Sequence, residues 1–421
     1  MKITYLHQYF NTPKMSGGTR SFELAKRLVK KGHVVHMVTS WRGEGLGNDC
    51  FQTNECGIFV YWIPVPYSNH MGYLQRLHAF FLFAFKSARV AAKIKADLIF
   101  ATSTPLTIAF PAVYVARKLS IPMVLEIRDL WPEMPIAIGA LKNRILIALA
   151  KWLESWAYRN AESIVALSPG IKMGVIKSGF PAERIAVIPN GSDILEFSCD
   201  RELGKLFSNQ NSWISNRPLL VYAGSFGKVN QVSYAVRLAR ELKEIKSNIC
   251  ILLVGDGSEK ESIANLAKQL EVFEKNIYFW PSVPKKEIPV LFSAATACLC
   301  LFDDIPEMRS NSSNKFFDGL AAGKPIVLNY GGWMNDLVND YSFGISLWKK
   351  SIREAALNLD LFMNDELWLC SAGKYSQELA QKEFDRDKLA LQFEKVLLAS
   401  HQGHSSQSEK IAPGIYSTGY V

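Results

Sequence analysis

Residues 1–40 read MKITYLHQYFNTPKMSGGTRSFELAKRLVKKGHVVHMVTS. The apolar run Ile3–His7 predicts a strand, and Ser16-Gly17-Gly18 leads into a helix over 20–31. Gly32 predicts the end of that helix, and Val34–Thr39 predicts the next strand. A strand-loop-helix-strand unit implies a parallel sheet with a right-handed crossover. Gly17 and Gly18 stand just before a helix N-terminus, where bare amides and the helix dipole suit a phosphate. A plain flexible turn explains them equally well. The loop is neither G-x-G-x-x-G nor a P-loop, which counts against a dinucleotide oxidoreductase or an ATPase.

Outward from this unit the alternation continues, with strands predicted at 98–102, 123–127, 164–167 and 186–188. It pauses at the polar stretch 198–217, SCDRELGKLFSNQNSWISNR, read as a linker, and then restarts. Leu219–Ala223 predicts a strand, 224–230 a glycine-containing loop and 231–246 a helix. Further strands are expected at 251–254, ending in Gly255-Asp256-Gly257, and at 277–280, 297–302 and 326–330. A chain of 421 residues exceeds one ordinary core. The pattern predicts two doubly wound α/β domains, 1–197 and 218–380, then a helix within 381–400 and a disordered tail over 401–421. Ligands in open parallel sheets sit at the carboxyl ends of strands, so the cleft between the two domains is the expected site.

The net charge of +9 allows nucleic acid, an anionic membrane or an anionic small substrate as partner. Lysines and arginines are spread without long basic runs and there is no recognition-helix motif, so nucleic acid is not expected. Seven scattered cysteines form no zinc-like pairing, and with no clustered acids no metal site is expected. Free buried thiols suit a reducing compartment. The first residues read as a strand rather than a signal peptide, and AFFLFAF at 79–85 is too short to span a bilayer. A cytoplasmic protein is expected. Residues 73–95 mix aromatics with Arg76, Lys86, Arg89, Lys93 and Lys95, suiting either an interfacial helix on anionic lipid or a long core helix.

The cleft-facing loops supply the candidate chemistry. Gly224 and Lys228 form a second glycine-plus-cation loop after a strand, and Asn314-Lys315 opens a helix. In NSSNKFFDGLAAGKPIVLNYGG, residues 311–332, helical spacing puts Asn311, Asn314, Lys315 and Asp318 on one face while Phe316, Phe317, Leu320 and Ala321 pack inward. Glu126-Ile-Arg-Asp-Leu-Trp-Pro-Glu133 brings Arg128, Asp129 and Glu133 to a strand end beside Trp131. There a carboxylate can take a proton from a hydroxyl, or an Arg-Asp pair can simply hold the loop. Trp131 suits stacking on a sugar or anchoring.

Taken together, YLHQYFNTPKMSGGTR, EIRDLWPE, VIPNGSD, YAGSFG, LVGDGSEK and NKFFDGLAAGKPIV resemble the retaining family-4, or group 1, glycosyltransferases of GT-B fold. Within them the chain looks most like bacterial fucosaminyltransferases of the WbuB-like type. The resemblance spans roughly residues 1–400. It implies metal-free, cofactor-free transfer of a sugar, by implication an N-acetylated amino sugar, from a UDP-linked donor. The acceptor it implies is a lipid-linked saccharide at the inner face of the cytoplasmic membrane, in O-antigen or capsule assembly. The first domain would take the acceptor and the second the donor, with the last helix returning to the first domain. By the resemblance Gly17 and Gly18 approach the donor diphosphate, Gly255-Asp256-Gly257 shapes the nucleotide side, and Asp318 contacts ribose. Lys228 and Lys315 take the phosphate work, because Ser225 and Asn230 stand where relatives carry cations. Asp129 is the proton-handling candidate. The family's acidic pair E-x7-E is broken: Ser310 stands eight residues before Asp318, and Glu307 is out of register. An idle nucleotide-sugar-binding subunit, which the missing Glu and Arg keep open, and a nucleotide-sugar epimerase remain as alternatives; turnover unchanged in Lys315→Ala and Asp318→Ala would overturn the site assignment and leave the fold standing.

Overall fold

The computed structural model describes residues 1–403 apart from 16, 44–48, 68–70, 199–200 and 215. The expectations for Ser16 and for a disordered tail over 404–421 therefore lie outside the described residues.

The first domain holds β1 (Lys2–Leu6), β2 (Val34–Trp41), β3 (Phe51–Glu55), β4 (Ile58–Pro64), β5 (Leu98–Thr102), β6 (Met123–Ile127), β7 (Ser163–Ala166) and β8 (Ile185–Val187). Their order is β3-β4-β2-β1-β5-β6-β7-β8, parallel except for the β3–β4 hairpin. The second domain holds β9 (Leu219–Ala223), β10 (Cys250–Val254), β11 (Ile277–Trp280), β12 (Ala297–Cys300), β13 (Ile326–Leu328) and β14 (Gly344–Ser346). Its order is β11-β10-β9-β12-β13-β14, parallel throughout. Every residue of β5, β6 and β10 is buried, as expected where helices cover both faces of a parallel sheet. These are two doubly wound Rossmann-like domains.

Strand order reverses between β1 and β5 in one sheet and between β9 and β12 in the other. Those two reversal points are where a crevice opens at the strands' carboxyl ends.

Three features depart from the sequence pattern. The β3–β4 hairpin at the sheet edge was not anticipated. Part of the stretch read as a linker is a helix, Arg201–Gln210, seated on the second domain. A Cβ at Gly204 would lie 2.6 Å from the Ser293 carbonyl carbon, so the absent side chain permits that close packing. The last helix, Arg386–Gln402, runs beyond the expected end. Its Phe393 meets Phe100 of the first sheet edge-on at 4.7 Å, and Leu389, Val396 and Leu397 are buried in the same core cluster.

The chain therefore crosses between domains twice, at 189–193 and at 384–386, and the crossings are tied together. Ser192 N–H donates to the Phe384 carbonyl at 3.0 Å, and Arg386 N–H donates to the Ser192 carbonyl at 3.1 Å. Arg386 also donates to the Gly191 carbonyl at 2.5 Å and pairs with Asp193.

Candidate functional site

Both reversal points open into one cavity of about 640 Å³. Its wall includes Gly17, Gly18, Arg42, Arg128, Asp129, Gly224, Gly255, Asp256, Lys285, Asn314, Lys315, Asp318 and Arg386. Five cations thus face three carboxylates, so the cavity favours an anion.

On the first domain's side, Gly17 has φ +116°, a conformation that L side chains rarely adopt. A Cβ there would lie 2.6 Å from Asn11 Nδ2. A Cβ on Gly18 would come within 3.3 Å of Asn314 Nδ2, which places the two domains' helix N-termini face to face across the cavity. Arg20, the first residue of the helix Arg20–Lys30, is buried and donates to Glu126 at 2.9 Å, to the Pro189 carbonyl at 2.6 Å and to the Ile188 carbonyl at 2.9 Å. Glu126, fully buried in β6, also accepts from Thr102 Oγ1 at 2.7 Å.

The second domain contributes the helix Asn314–Ala321, whose Phe316, Phe317, Leu320 and Ala321 are buried and whose first turn lines the cavity. The Lys315 ammonium lies 5.1 Å from the ring centres of both Tyr222 and Phe302. A Cβ on Gly224 would lie only 3.0 Å from Lys315 Nζ, so this glycine clears the lysine's path. Burial lowers the Lys315 pKa, with Cys300 and Asp318 opposing. At Gly255 a Cβ would lie 1.8 Å from the Gly224 carbonyl oxygen, so the two glycine turns touch backbone to backbone. Asp256 Oδ1 accepts from Gly257 N–H at 2.8 Å; Gly257 supports this turn from behind, against the Phe226 backbone, outside the cavity wall.

Asp318 is buried, accepts from Ser192 Oγ at 2.8 Å and forms an ion pair with Lys285. The Lys285 ammonium also sits 4.7 Å from the Phe197 ring centre. Asp129 is exposed on the wall of the cavity. Desolvation raises its carboxyl above the usual range, with Arg128 and the Thr104 hydroxyl opposing.

Besides Gly257, three expected positions fall elsewhere. Lys228 begins the short turn Lys228–Asn230 outside the cavity wall. Trp131 packs against the first domain's core, as does the neighbouring Leu130, which fills the space that Gly174 leaves open. Glu133 starts a short helix whose carboxylate faces Glu154 and Tyr158 rather than the cavity.

That inward turn has a consequence for stability. Burial, and then the Glu133 charge, pushes the Glu154 carboxyl up to about 7. A carboxyl whose folded pKa lies above its unfolded value stabilises the fold fully below the unfolded value, about 4.5. That contribution is lost as pH rises through 7. Glu154→Gln is expected to melt a few degrees above the parent at about pH 8, and close to it at about pH 4. Melting curves at the two pH values check this; equal differences at both would contradict it.

Sequence reasoning missed Arg42, His7 and Lys285. Arg42 directly follows β2 and His7 directly follows β1, so a strand-end signal was available for both. Lys285 stands in an ordinary Pro-Lys-Lys run, and only the fold brings it to Asp318. The broken acidic pair also has a structural counterpart. Ser310 offers its carbonyl to Ser168 Oγ at 2.6 Å, and its own Oγ lies 2.2 Å from where a Cβ on Gly170 would be. Small residues on both sides let the domains touch there, and a Glu at 310 would have to leave that contact. Beside it, Asn190 Nδ2 donates to the Ser312 carbonyl at 2.6 Å.

The chain matches a family model described as a glycosyl transferase 4-like domain over residues 17–191 and one described as glycosyl transferases group 1 over residues 205–383. It is 23% identical over 297 residues to WcaI of Escherichia coli K12, a glycosyl transferase named for colanic acid biosynthesis, covering 66% of this chain and 72% of that one. It is 20% identical to alpha-monoglucosyldiacylglycerol synthase of Streptococcus pneumoniae, covering 96% and 89% of the two chains. Among solved structures, Anabaena HepE in complex with UDP and glucose superposes with a TM-score of 0.71 at 19% identity, over 94% of this chain and 99% of that one. With two family models in tandem, two Rossmann-like domains and one anion-favouring cavity between them, the chain belongs to the group 1 glycosyltransferases of GT-B fold.

Proposed function

We propose that this glycosyltransferase moves an N-acetylated amino sugar from a UDP-linked donor, with retention, to a lipid-linked saccharide during surface-polysaccharide assembly at the inner membrane face. The observation that carries the reading is the convergence of Gly17, Gly18, Asn314 and Lys315 on one cavity. A diphosphate brings about two or more negative charges, which a lysine and two helix N-termini can offset. The Gly255–Asp256 turn then faces the nucleotide, and Asp318, held by Ser192 and Lys285, meets the ribose hydroxyls.

In the transfer, the bond between the anomeric carbon and the phosphate oxygen breaks and UDP leaves. A new bond forms from the anomeric carbon to the acceptor oxygen, on the same face. The acceptor hydroxyl's proton passes to Asp129, whose raised proton affinity suits that task. HepE is solved with UDP, and the pneumococcal relative is named for a lipid product, both in line with this reading.

The surface of the first domain supports a membrane-borne acceptor. Helices Tyr73–Ala91, Ala109–Leu119 and Arg144–Arg159 together carry eight lysines and arginines and a single acid, the buried Glu154. Phe81, Phe85, Ile145, Leu149 and Trp152 are exposed on them. The rings of Phe81, Phe110, Trp156 and Trp152 form a chain with centres 5.4–6.1 Å apart. Aromatics ringed by cations suit an anionic lipid surface. Among the described residues no helix is long and apolar enough to cross a membrane.

The test incubates the protein with labelled UDP-sugars and bacterial lipid extract in neutral or acidic vesicles. Label entering the lipid phase, fastest from a UDP-N-acetylated amino sugar and faster on acidic vesicles, is the expected result. Transfer only to water-soluble sugars, or equal rates on both vesicles, would contradict the lipid-linked acceptor and the membrane contact respectively.

A further inference from the structure

The wall formed by the first sheet carries cationic groups that the donor reading leaves unused. Arg42 follows β2 and Arg128 follows β6, while His7, after β1, lies between them in the sheet. Arg42 donates to Asn11 Oδ1 at 2.5 Å and to the Phe10 carbonyl at 3.3 Å, with its guanidinium 5.6 Å from the Tyr9 ring centre. Arg128 Nη1 lies 3.4 Å from His7 Nε2.

Neither arginine forms an ion pair with a carboxylate among the described residues, although both line the cavity. Arg386 and Lys285, by contrast, are each matched by an aspartate. Burial, and then the two arginines, lowers the His7 pKa well below the ordinary imidazole value, so the ring is neutral and adds no charge. A neutral imidazole can accept from Arg128 at Nε2 and so steadies the guanidinium. His7 Nδ1 and both side-chain amide atoms of Gln8 are buried at the same strand end without a partner among the described residues. Two guanidiniums in one cleft, with Asp129 beside Arg128 as the one carboxylate acting on them from the first domain's side of the wall, are a receptor for a planar or tetrahedral oxyanion. They belong to the first sheet, whereas Gly224, Gly255 and Lys315 belong to the second.

We propose that Arg42 and Arg128 form a subsite for an oxyanion carried by the sugar acceptor, a phosphate or carboxylate close to the hydroxyl that receives the sugar. This rests on the donor occupying the second domain. A lipid-linked diphosphate and a uronic acid residue both supply such a group, and they are separated by the probe.

The experiment titrates the UDP-saturated protein by calorimetry with inorganic pyrophosphate and, separately, with methyl glucuronide. One of the two is expected to bind, and the tighter one assigns the source. Arg42→Gln and Arg128→Gln are each expected to weaken that binding about tenfold or more, as for loss of a charge-assisted contact, while UDP affinity is kept. Where Arg128→Gln fails to fold, Arg42→Gln decides. Binding of neither anion, equal binding in both variants, or an equal loss of UDP affinity would overturn the subsite. A parent that binds the anion through these arginines but never binds UDP would keep the subsite and overturn the donor reading instead.

Discussion

Lys315→Ala is expected to lower kcat/KM for the donor by about 10²–10³, the scale for removing one preorganised donor from a developing oxyanion. The ammonium is the cation nearest the glycine turn at Gly224, and the Tyr222 and Phe302 rings hold it in place. Burial disfavours its charge, and on the proposed reading a donor phosphate offsets that penalty. Lys315→Arg is expected to recover little, since the space beside Gly224 is filled by the lysine itself. Activity of the parent should also fall on the alkaline side at a lower pH than an exposed lysine would give. Steady-state kinetics with a UDP-sugar, alongside melting curves, check this. Unchanged kcat/KM in a folded Lys315→Ala protein would remove Lys315 from the phosphate site.

The second large effect is on stability. Arg20→Ala is expected to cost about 3–5 kcal/mol, because it leaves the Glu126 carboxylate buried and unpaired in the middle of the first sheet. It also strips the Ile188 and Pro189 carbonyls of a donor. For a domain of this size the melting temperature should drop on the order of 10 °C. The double variant Arg20→Met/Glu126→Leu is expected to recover much of that loss, since it removes the charge as well as its partner. Thermal unfolding of the single and double variants measures both. A double variant no better than Arg20→Ala would mean that the carbonyl contacts, rather than the buried charge, dominate.

The parts of the fold that sequence reading reached are those with a local cause. Burial on both faces makes the strands near-continuous apolar runs. Glycines punctuate them, and the helix Asn314–Ala321 shows its two faces by spacing alone. The β3–β4 hairpin was passed over because it is an edge element, with β3 alternating between half-buried and exposed residues rather than forming an apolar run.

Within the site, a residue's presence near a strand end was legible, but its direction was not. Arg128 and Asp129 reach the cavity, while Trp131 and Glu133, two and four residues beyond Asp129, turn back into the first domain. Leu130, between them and Asp129, meets Gly174, a contact across 44 residues that no local pattern encodes. Lys285 with Asp318 is likewise a pairing across 33 residues within the second domain, and Ser310 against Gly170 is one made only by closing the two domains together.

The central claim, a cavity shaped for a uridine diphosphate, is tested most directly by thermal shift against UDP, GDP, ADP, CMP and dTDP, each with and without EDTA. A ligand at about 100 times its Kd adds about 2.7 kcal/mol, a shift of several degrees. The expected result is a shift largest with UDP, unchanged by EDTA and absent in Lys315→Ala. A larger shift with another nucleotide, a shift abolished by EDTA, or no shift with any nucleotide would contradict the account.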